Sequence, residues 1–149
     1  MTDRLRAVLD INVFLSAFLS RSPSSPTREI LQRFQDGEFV LLVSYDVIDE
    51  LSEKLLKNGI HPLRVLEFLV LLDRLAEWIT VPEEAVLPEI SGDPDDNPIL
   101  ACAVVGKADY LVTYDTHFEP LGGLHVGVKI TKGLPFLWAL RGDQPPEDS

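Results

Sequence analysis

The chain has 149 residues, 46% of them hydrophobic, with one cysteine and 24 acidic against 13 basic side chains, for a formal net charge of −11. A single cysteine excludes an internal disulfide and fits a reducing compartment, and the acidic excess excludes a broad phosphate-binding surface. No run approaches the roughly 18 consecutive apolar residues of a membrane helix, and the N-terminus carries no apolar signal region, so no membrane association and a cytoplasmic location are expected.

Taken in order, the residues read as alternating strands and helices. Arg6 to Leu9 is a short apolar run that ends in Asp10 and reads as a buried first strand, followed by a helix-like segment carrying Val13, Phe14, Leu15, Phe18 and Leu19. Arg21 to Pro26 is a loop, with Ser25 and Pro26 placed as N-cap and first position of a helix over 27–36 that stops at Gly37. Phe39 to Val43 is a second strand. Ser44 then opens a helix from Tyr45 to about Asn58, closed by Gly59. Pro62 opens a helix reaching Trp78, whose apolar residues between Leu63 and Leu75 exceed what one buried stripe uses. One of its faces is expected to pack on the domain and another to meet a partner.

Ile79 to Val81 is predicted as a short strand, and Pro82 to Ser91 as a loop. The segment Asp93-Pro-Asp-Asp-Asn-Pro98 leads into a helix ending at Gly106; Tyr110 to Val112 is a strand ending at Thr113-Tyr114-Asp115. Gly122-Gly123 marks a turn, Val126 to Ile130 a last strand and Pro135 to Leu140 a short helix. One domain over 1–141 is expected, with a polar, Pro-rich and disordered tail over 142–149. The alternation predicts a three-layer α/β/α fold with a central parallel sheet.

Four carboxylates stand out by position. Asp10 and Asp115 each follow a short apolar strand, so a parallel sheet brings both to its carboxyl edge, where open α/β sheets bind ligands. Capping of the next helix is the alternative role for Asp10 or Asn12. In the helix after Ser44, the apolar stripe is Val47, Ile48, Leu51 and Leu55, and Glu50 lies closest to it among the acidic residues; a stripe-edge surface residue is the alternative there. Asp96 falls on the stripe of Ile99, Leu100 and Ala103, where a carboxylate needs a compensating partner, while Asp93 sits near that stripe or caps the helix. Gathered carboxylates repel one another unless a cation neutralises them, and oxygen-only ligands select a hard ion, Mg²⁺ or Mn²⁺. Such ions suit metal-assisted phosphodiester hydrolysis.

Other chemistries find no footing. Cys102 lies in an Ala-rich apolar helix and reads as core. His61, His117 and His125 form no zinc pattern, although His117 is near enough to Asp115 to line a pocket. Neither a phosphate-binding Gly-rich loop nor a G-x-S-x-G elbow occurs.

The order Asp10-x-Asn12, Glu50, Asp93-Pro-Asp-Asp96-Asn-Pro-Ile-Leu-Ala and Ala108-Asp-Tyr-Leu-Val-Thr-Tyr-Asp115 resembles the PIN-domain nucleases, in particular the VapC-like toxins of bacterial toxin–antitoxin pairs. The resemblance covers residues 6 to 131. It implies a Rossmann-like α/β/α fold and an Mg²⁺- or Mn²⁺-dependent endoribonuclease with Asp10, Glu50, Asp96 and Asp115 as catalytic metal ligands. It also implies supporting roles for Asn12 and Thr113, an RNA substrate and an antitoxin protein. Tyr114 departs from the pattern, which often has a small residue before the last Asp; it narrows the pocket or stacks on a base. Arg21, Arg28, Lys54 and Lys57 are candidate substrate-binding cations, and the over-apolar helix points to a homodimer or higher oligomer, an antitoxin contact, or both.

Two rivals remain. A PIN-like module acting only through a partner would keep the fold without hydrolysis. A phosphoaspartate protein also places Asp at strand ends, but Asn12 breaks the D-x-D of the phosphatases, and the acidic pair and late-strand Lys of receivers are missing.

Overall fold

The structure is a computed structural model that describes residues 4–83 and 97–142. Its elements are β1 (Arg6–Leu9), α1 (Ile11–Leu19), α2 (Pro26–Gln35), β2 (Val40–Val43), α3 (Tyr45–Lys57), α4 (Pro62–Leu75), β3 (Glu77–Trp78), α5 (Asn97–Val105), β4 (Tyr110–Val112), a 3-10 helix over Thr116–Leu121, β5 (Leu124–His125), β6 (Val128–Thr131) and α6 (Gly133–Arg141). Among the described residues the sheet runs β3-β2-β1-β4-β6-β5, with every pairing parallel except β5 with β6. The central strands are short and apolar because both their faces are covered: Ala7, Val8, Leu9, Leu41, Leu42, Val43, Leu111 and Val112 are all buried.

Two helical layers enclose the sheet. On one side α2 packs on α6, and an aromatic chain ties them to the strands: Phe34 meets Phe39, Phe39 meets Phe136 edge-on at 5.1 Å, and Phe136 meets Tyr110 at 5.4 Å. On the other, α5 lies on β1, β2 and β4 and touches α3. Gly106, just past α5, permits that approach. A Cβ there would stand 2.9 Å from Leu42 Cδ1 and from the Cys102 carbonyl oxygen. Cys102 itself is core, its thiol pushed up to about 12 by burial, which removes it as a nucleophile. α4 stands outside α3 and sends Phe68 against Phe14 and Phe18 of α1.

Several elements differ from their predicted form. The helix from Pro62 ends at Leu75 rather than Trp78, because Ala76 turns extended (ψ 155) and Trp78 enters the sheet beside Val43. Its indole N–H donates to the Leu72 carbonyl at 3.2 Å, and its ring lies 4.8 Å from that of Tyr45. The third strand is therefore Glu77–Trp78, not Ile79–Val81; the Ile79 N–H donates to the Val43 carbonyl and closes the ladder. The last strand starts at Val128, because Val126 and Gly127 form the tight turn of a β5–β6 hairpin. Ser25 and Ser44 occupy N-cap positions without side-chain capping bonds. The predicted disordered tail lies outside the described residues from 143 onward. Among the described residues, no helix is long and apolar enough to cross a membrane.

Candidate active site

Register brings three residues to one line. Leu9 pairs with Val112 and Val112 with Thr131, while the Asp10 N–H donates to the Val112 carbonyl and the Thr113 N–H to the Thr131 carbonyl, each at 2.9 Å. Asp10, Thr113 and Lys132 are thus the first residues beyond the carboxyl ends of β1, β4 and β6, the crevice where open α/β sheets hold ligands.

Asp10 is only 4% exposed, yet it is an acid. Its Oδ1 accepts the Ile11 N–H at 2.7 Å, capping α1, while its Oδ2 accepts the Thr113 hydroxyl at 2.7 Å and the Asn12 side-chain amide at 3.4 Å. The capping role weighed from the sequence is present on one carboxylate oxygen, while the other is bonded by Thr113 and Asn12 at the sheet edge. Burial pushes the Asp10 pKa above its ordinary value; the Thr113 hydroxyl and Ile11 N–H oppose it, the Asp115 charge adds to it, and the Lys54 charge lowers it.

Thr113 is the hinge of the group. Its buried hydroxyl donates to the Asp10 carboxylate and accepts the Asp115 backbone N–H at 3.0 Å, so one oxygen ties the Asp10 side chain to the backbone that carries Asp115. Asp115 caps the 3-10 helix through its Oδ1, which takes the His117 N–H at 2.9 Å and lies 3.2 Å from His117 Nδ1. Asn12 spans the same strand ends, with its Oδ1 accepting the Tyr114 N–H at 3.3 Å.

The other predicted residues fall differently. Glu50 is the least exposed acidic residue of α3, as its helix face predicts; Asp46, Asp49 and Glu53 are exposed. It pairs with Lys54 at 3.0 Å, and the Lys54 charge in turn lowers the pKa of Asp10, but among the described residues Glu50 does not converge with Asp10 and Asp115. Arg21 and Lys57 are exposed, and among the described residues no bond joins either to this group. Arg28 reaches the Ser22 carbonyl at 3.4 Å. Asp93 and Asp96 lie outside the described residues, and among those described no three His, Cys, Asp or Glu side chains converge as a ligand set.

The donor set nonetheless fits a hard divalent cation. A carboxylate buried at Asp10, whose hydrogen bonds come from neutral donors and whose ionisation burial opposes, gains from a positive charge at its side. Asp115 supplies a second carboxylate, and both offer oxygen, which suits Mg²⁺ or Mn²⁺.

Sequence reasoning overlooked the β6 end. Lys132 and Thr131 line a cavity with Asp115 and Tyr114, and the strand-end rule that picked out Asp10 and Asp115 applies equally to Thr131-Lys132.

A largely parallel sheet flanked by helices, with Asp10 and Asp115 beyond the carboxyl ends of β1 and β4, defines a Rossmann-like α/β domain. The sequence profile of the PIN domain matches residues 6–117, and the chain belongs to that family. Among solved structures it is similar to a chain of VapBC2 from Rickettsia felis, crystallised bound to a DNA fragment from the promoter of that pair. The TM-score is 0.59 at 15% identity, over 85% of this chain and 97% of the other. No curated protein sequence matches the chain.

Proposed function

We propose that the protein is a divalent-metal-dependent endoribonuclease of the PIN family and the toxin of a toxin–antitoxin pair. The observation that carries this reading is the Asp10–Thr113–Asp115 group: the Thr113 hydroxyl bonds the buried Asp10 carboxylate and the Asp115 backbone N–H, so two acids stand beyond neighbouring strand ends at the carboxyl edge of the sheet. Asp10, Asp115, Glu50 and Asp96 would hold Mg²⁺ or Mn²⁺. When bound, the cation supplies positive charge for a phosphodiester's developing negative charge and makes water more acidic.

The chain's own residues do the rest. Thr113 and Ile11 fix the Asp10 carboxylate by hydrogen bonds of 2.7 Å each, so it is held in one orientation at the sheet edge before any ligand binds. His117, on Asp115 Oδ1, orients the second carboxylate. Glu50, partly exposed and paired with Lys54, would complete the cation's shell or orient the attacking water, while the Lys54 charge favours the ionised Asp10. Thr113 and Asn12 are positioning residues, because each acts through Asp10.

The neighbouring chain was crystallised as VapBC2 bound to DNA from its promoter, and that likeness supports a protein partner here. So does α4, whose Leu63, Leu66 and Val70 are each more than half exposed, an apolar face suited to a second copy or an antitoxin segment.

Asp10→Asn tests the reading, assayed on a mixed RNA pool in Mg²⁺. The variant should stay folded by circular dichroism and lose cleavage by more than about 100-fold, beyond the roughly 10–100-fold typical of removing an outer partner of a metal ligand. Equal cleavage in EDTA, or a fully active Asp10→Asn, would refute it. Metal binding without hydrolysis of any RNA would favour the binding-module alternative.

A further inference from the structure

Beside the carboxylate pair, a cavity of about 260 Å³ opens between the end of β4, the 3-10 helix and the end of β6. Its polar lining includes Tyr114, Asp115, Glu119 and Lys132, with Phe118 and Ile130 as the apolar part. It lies below the roughly 300–1,000 Å³ of sites that enclose a whole small molecule, and suits a single flat ring system.

Two features mark it as more than a surface dent. The Thr131 hydroxyl oxygen is buried and, among the described residues, is the buried side-chain polar atom left without a hydrogen bond. Such a group is costly to keep unless something completes it. The second is the seat of Tyr114. Its hydroxyl lies over the bare Cα of Gly133, where any Cβ would collide with it, while Ile30 Cδ1 stands 3.3 Å from that same Cβ position. Gly133 has no positive φ to explain its lack of a side chain, so what glycine provides there is room for the tyrosine. The ring is therefore seated at its tip, yet Tyr114 remains 40% exposed.

We propose that this cavity, walled by Tyr114 and closed by Thr131, Glu119 and Lys132, holds one unstacked RNA base next to the cleaved phosphate and sets base preference. The inference rests on the ribonuclease reading for its substrate class. Single-stranded RNA is read by splayed bases stacked on aromatic side chains and bonded along their edges. Tyr114 supplies the ring and Lys132 a charge for the neighbouring phosphate in a chain of net charge −11. Glu119 only accepts, so it favours the exocyclic amino groups of adenine, cytosine and guanine, whereas uracil offers it only the ring N3–H.

The test uses short labelled single-stranded RNAs differing at one central base, titrated against the full chain by fluorescence anisotropy. Ca²⁺ replaces Mg²⁺, so that binding is read apart from cleavage. Tyr114→Ala should weaken binding about tenfold, within the range for one lost stacking contact. Glu119→Gln should abolish the discrimination against uracil. Gly133→Ala should weaken binding by displacing the ring, and adding Tyr114→Phe should recover it, because the colliding hydroxyl is gone. That recovery also separates displacement from misfolding. Unchanged affinity and base order in Tyr114→Ala and Gly133→Ala would overturn the cavity, even if wild-type protein cleaves RNA in Mg²⁺. Absence of binding by every RNA would overturn it too. Tyr114-dependent binding without cleavage would leave the cavity standing and sink the nuclease reading instead.

Discussion

At the scale of single residues, Asp10 is held at a cost. Burial raises its pKa, so its folded value lies above the roughly 3.9 of an unfolded Asp, and the folded chain retains a proton that the unfolded chain releases first. The contribution of this group to stability is greatest below the unfolded pKa and is lost as pH rises through the folded one. At neutral pH the ionised carboxylate is therefore a net burden in metal-free protein. Asp10→Asn should raise the melting temperature in EDTA at neutral pH, by about 2–4 °C for each kcal/mol recovered, and the difference should shrink as pH falls toward the unfolded pKa of roughly 3.9. Added Mg²⁺ should stabilise the wild type and not the variant. Thermal scans across pH with and without Mg²⁺ check both halves; a wild type that outlasts the variant in EDTA at pH 7 would contradict the burden. Asp10 and Asp115 were legible in the sequence because the rule that finds them is local: a short apolar run, then an acid. Glu50 was legible from helix periodicity. The shared Thr113 hydroxyl and the Tyr114–Gly133 contact were not, since they depend on register between strands more than 100 residues apart or on side chains that meet only after α6 docks.

At the scale of elements, what the sequence obscured is where apolar periodicity misleads. The stripe of α4 continues smoothly into Trp78, but one extended residue at Ala76 turns the chain, and Trp78 is claimed by the Leu72 carbonyl and the Tyr45 ring, neither of which is a local signal. The β5–β6 hairpin was hidden for the opposite reason. Leu124 pairs with Lys129 and His125 with Val128, leaving a two-residue loop in which Val126 (φ 48) and Gly127 (φ 81) both take positive φ. Such a turn prefers Asn-Gly, and a β-branched residue in its first place reads as strand instead. The strain is exposed to test, because Val126 is 71% exposed and contributes little packing. Val126→Asn should stabilise the chain by about 1 kcal/mol, within the 1–2 kcal/mol a non-Gly residue loses in the left-handed region. Urea denaturation with an unchanged m-value would show it. A variant less stable than wild type would mean that Val126 packs on something beyond the described residues.

At the scale of the whole molecule, an apolar face and a strong net charge act against each other. Leu63, Leu66 and Val70 follow one another at helical spacing on the outer side of α4, exposed by 57%, 55% and 51%, while Val65, Phe68 and Leu72 carry the inner side into the core. Covering that outer stripe with a second copy would remove apolar surface from water, but it brings together two chains each of net charge −11. Self-association through α4 should therefore strengthen as salt screens the repulsion, the reverse of an interface built from ion pairs. Paired substitution Leu66→Asp and Val70→Asp should leave the monomer folded, because both side chains already face solvent, and should shift sedimentation from dimer or higher to monomer at every salt concentration. Leu72→Asp is the contrasting variant: Leu72 is fully buried, so it should unfold the chain rather than merely separate it. A wild type that stays monomeric from low to high salt, at concentrations where the paired variant behaves identically, would assign the α4 stripe to a different protein partner. RNA cleavage separates the cases further. If the dimer only positions the crevices, the paired variant keeps its activity per chain, whereas a crevice completed by the second copy would lose activity together with the dimer.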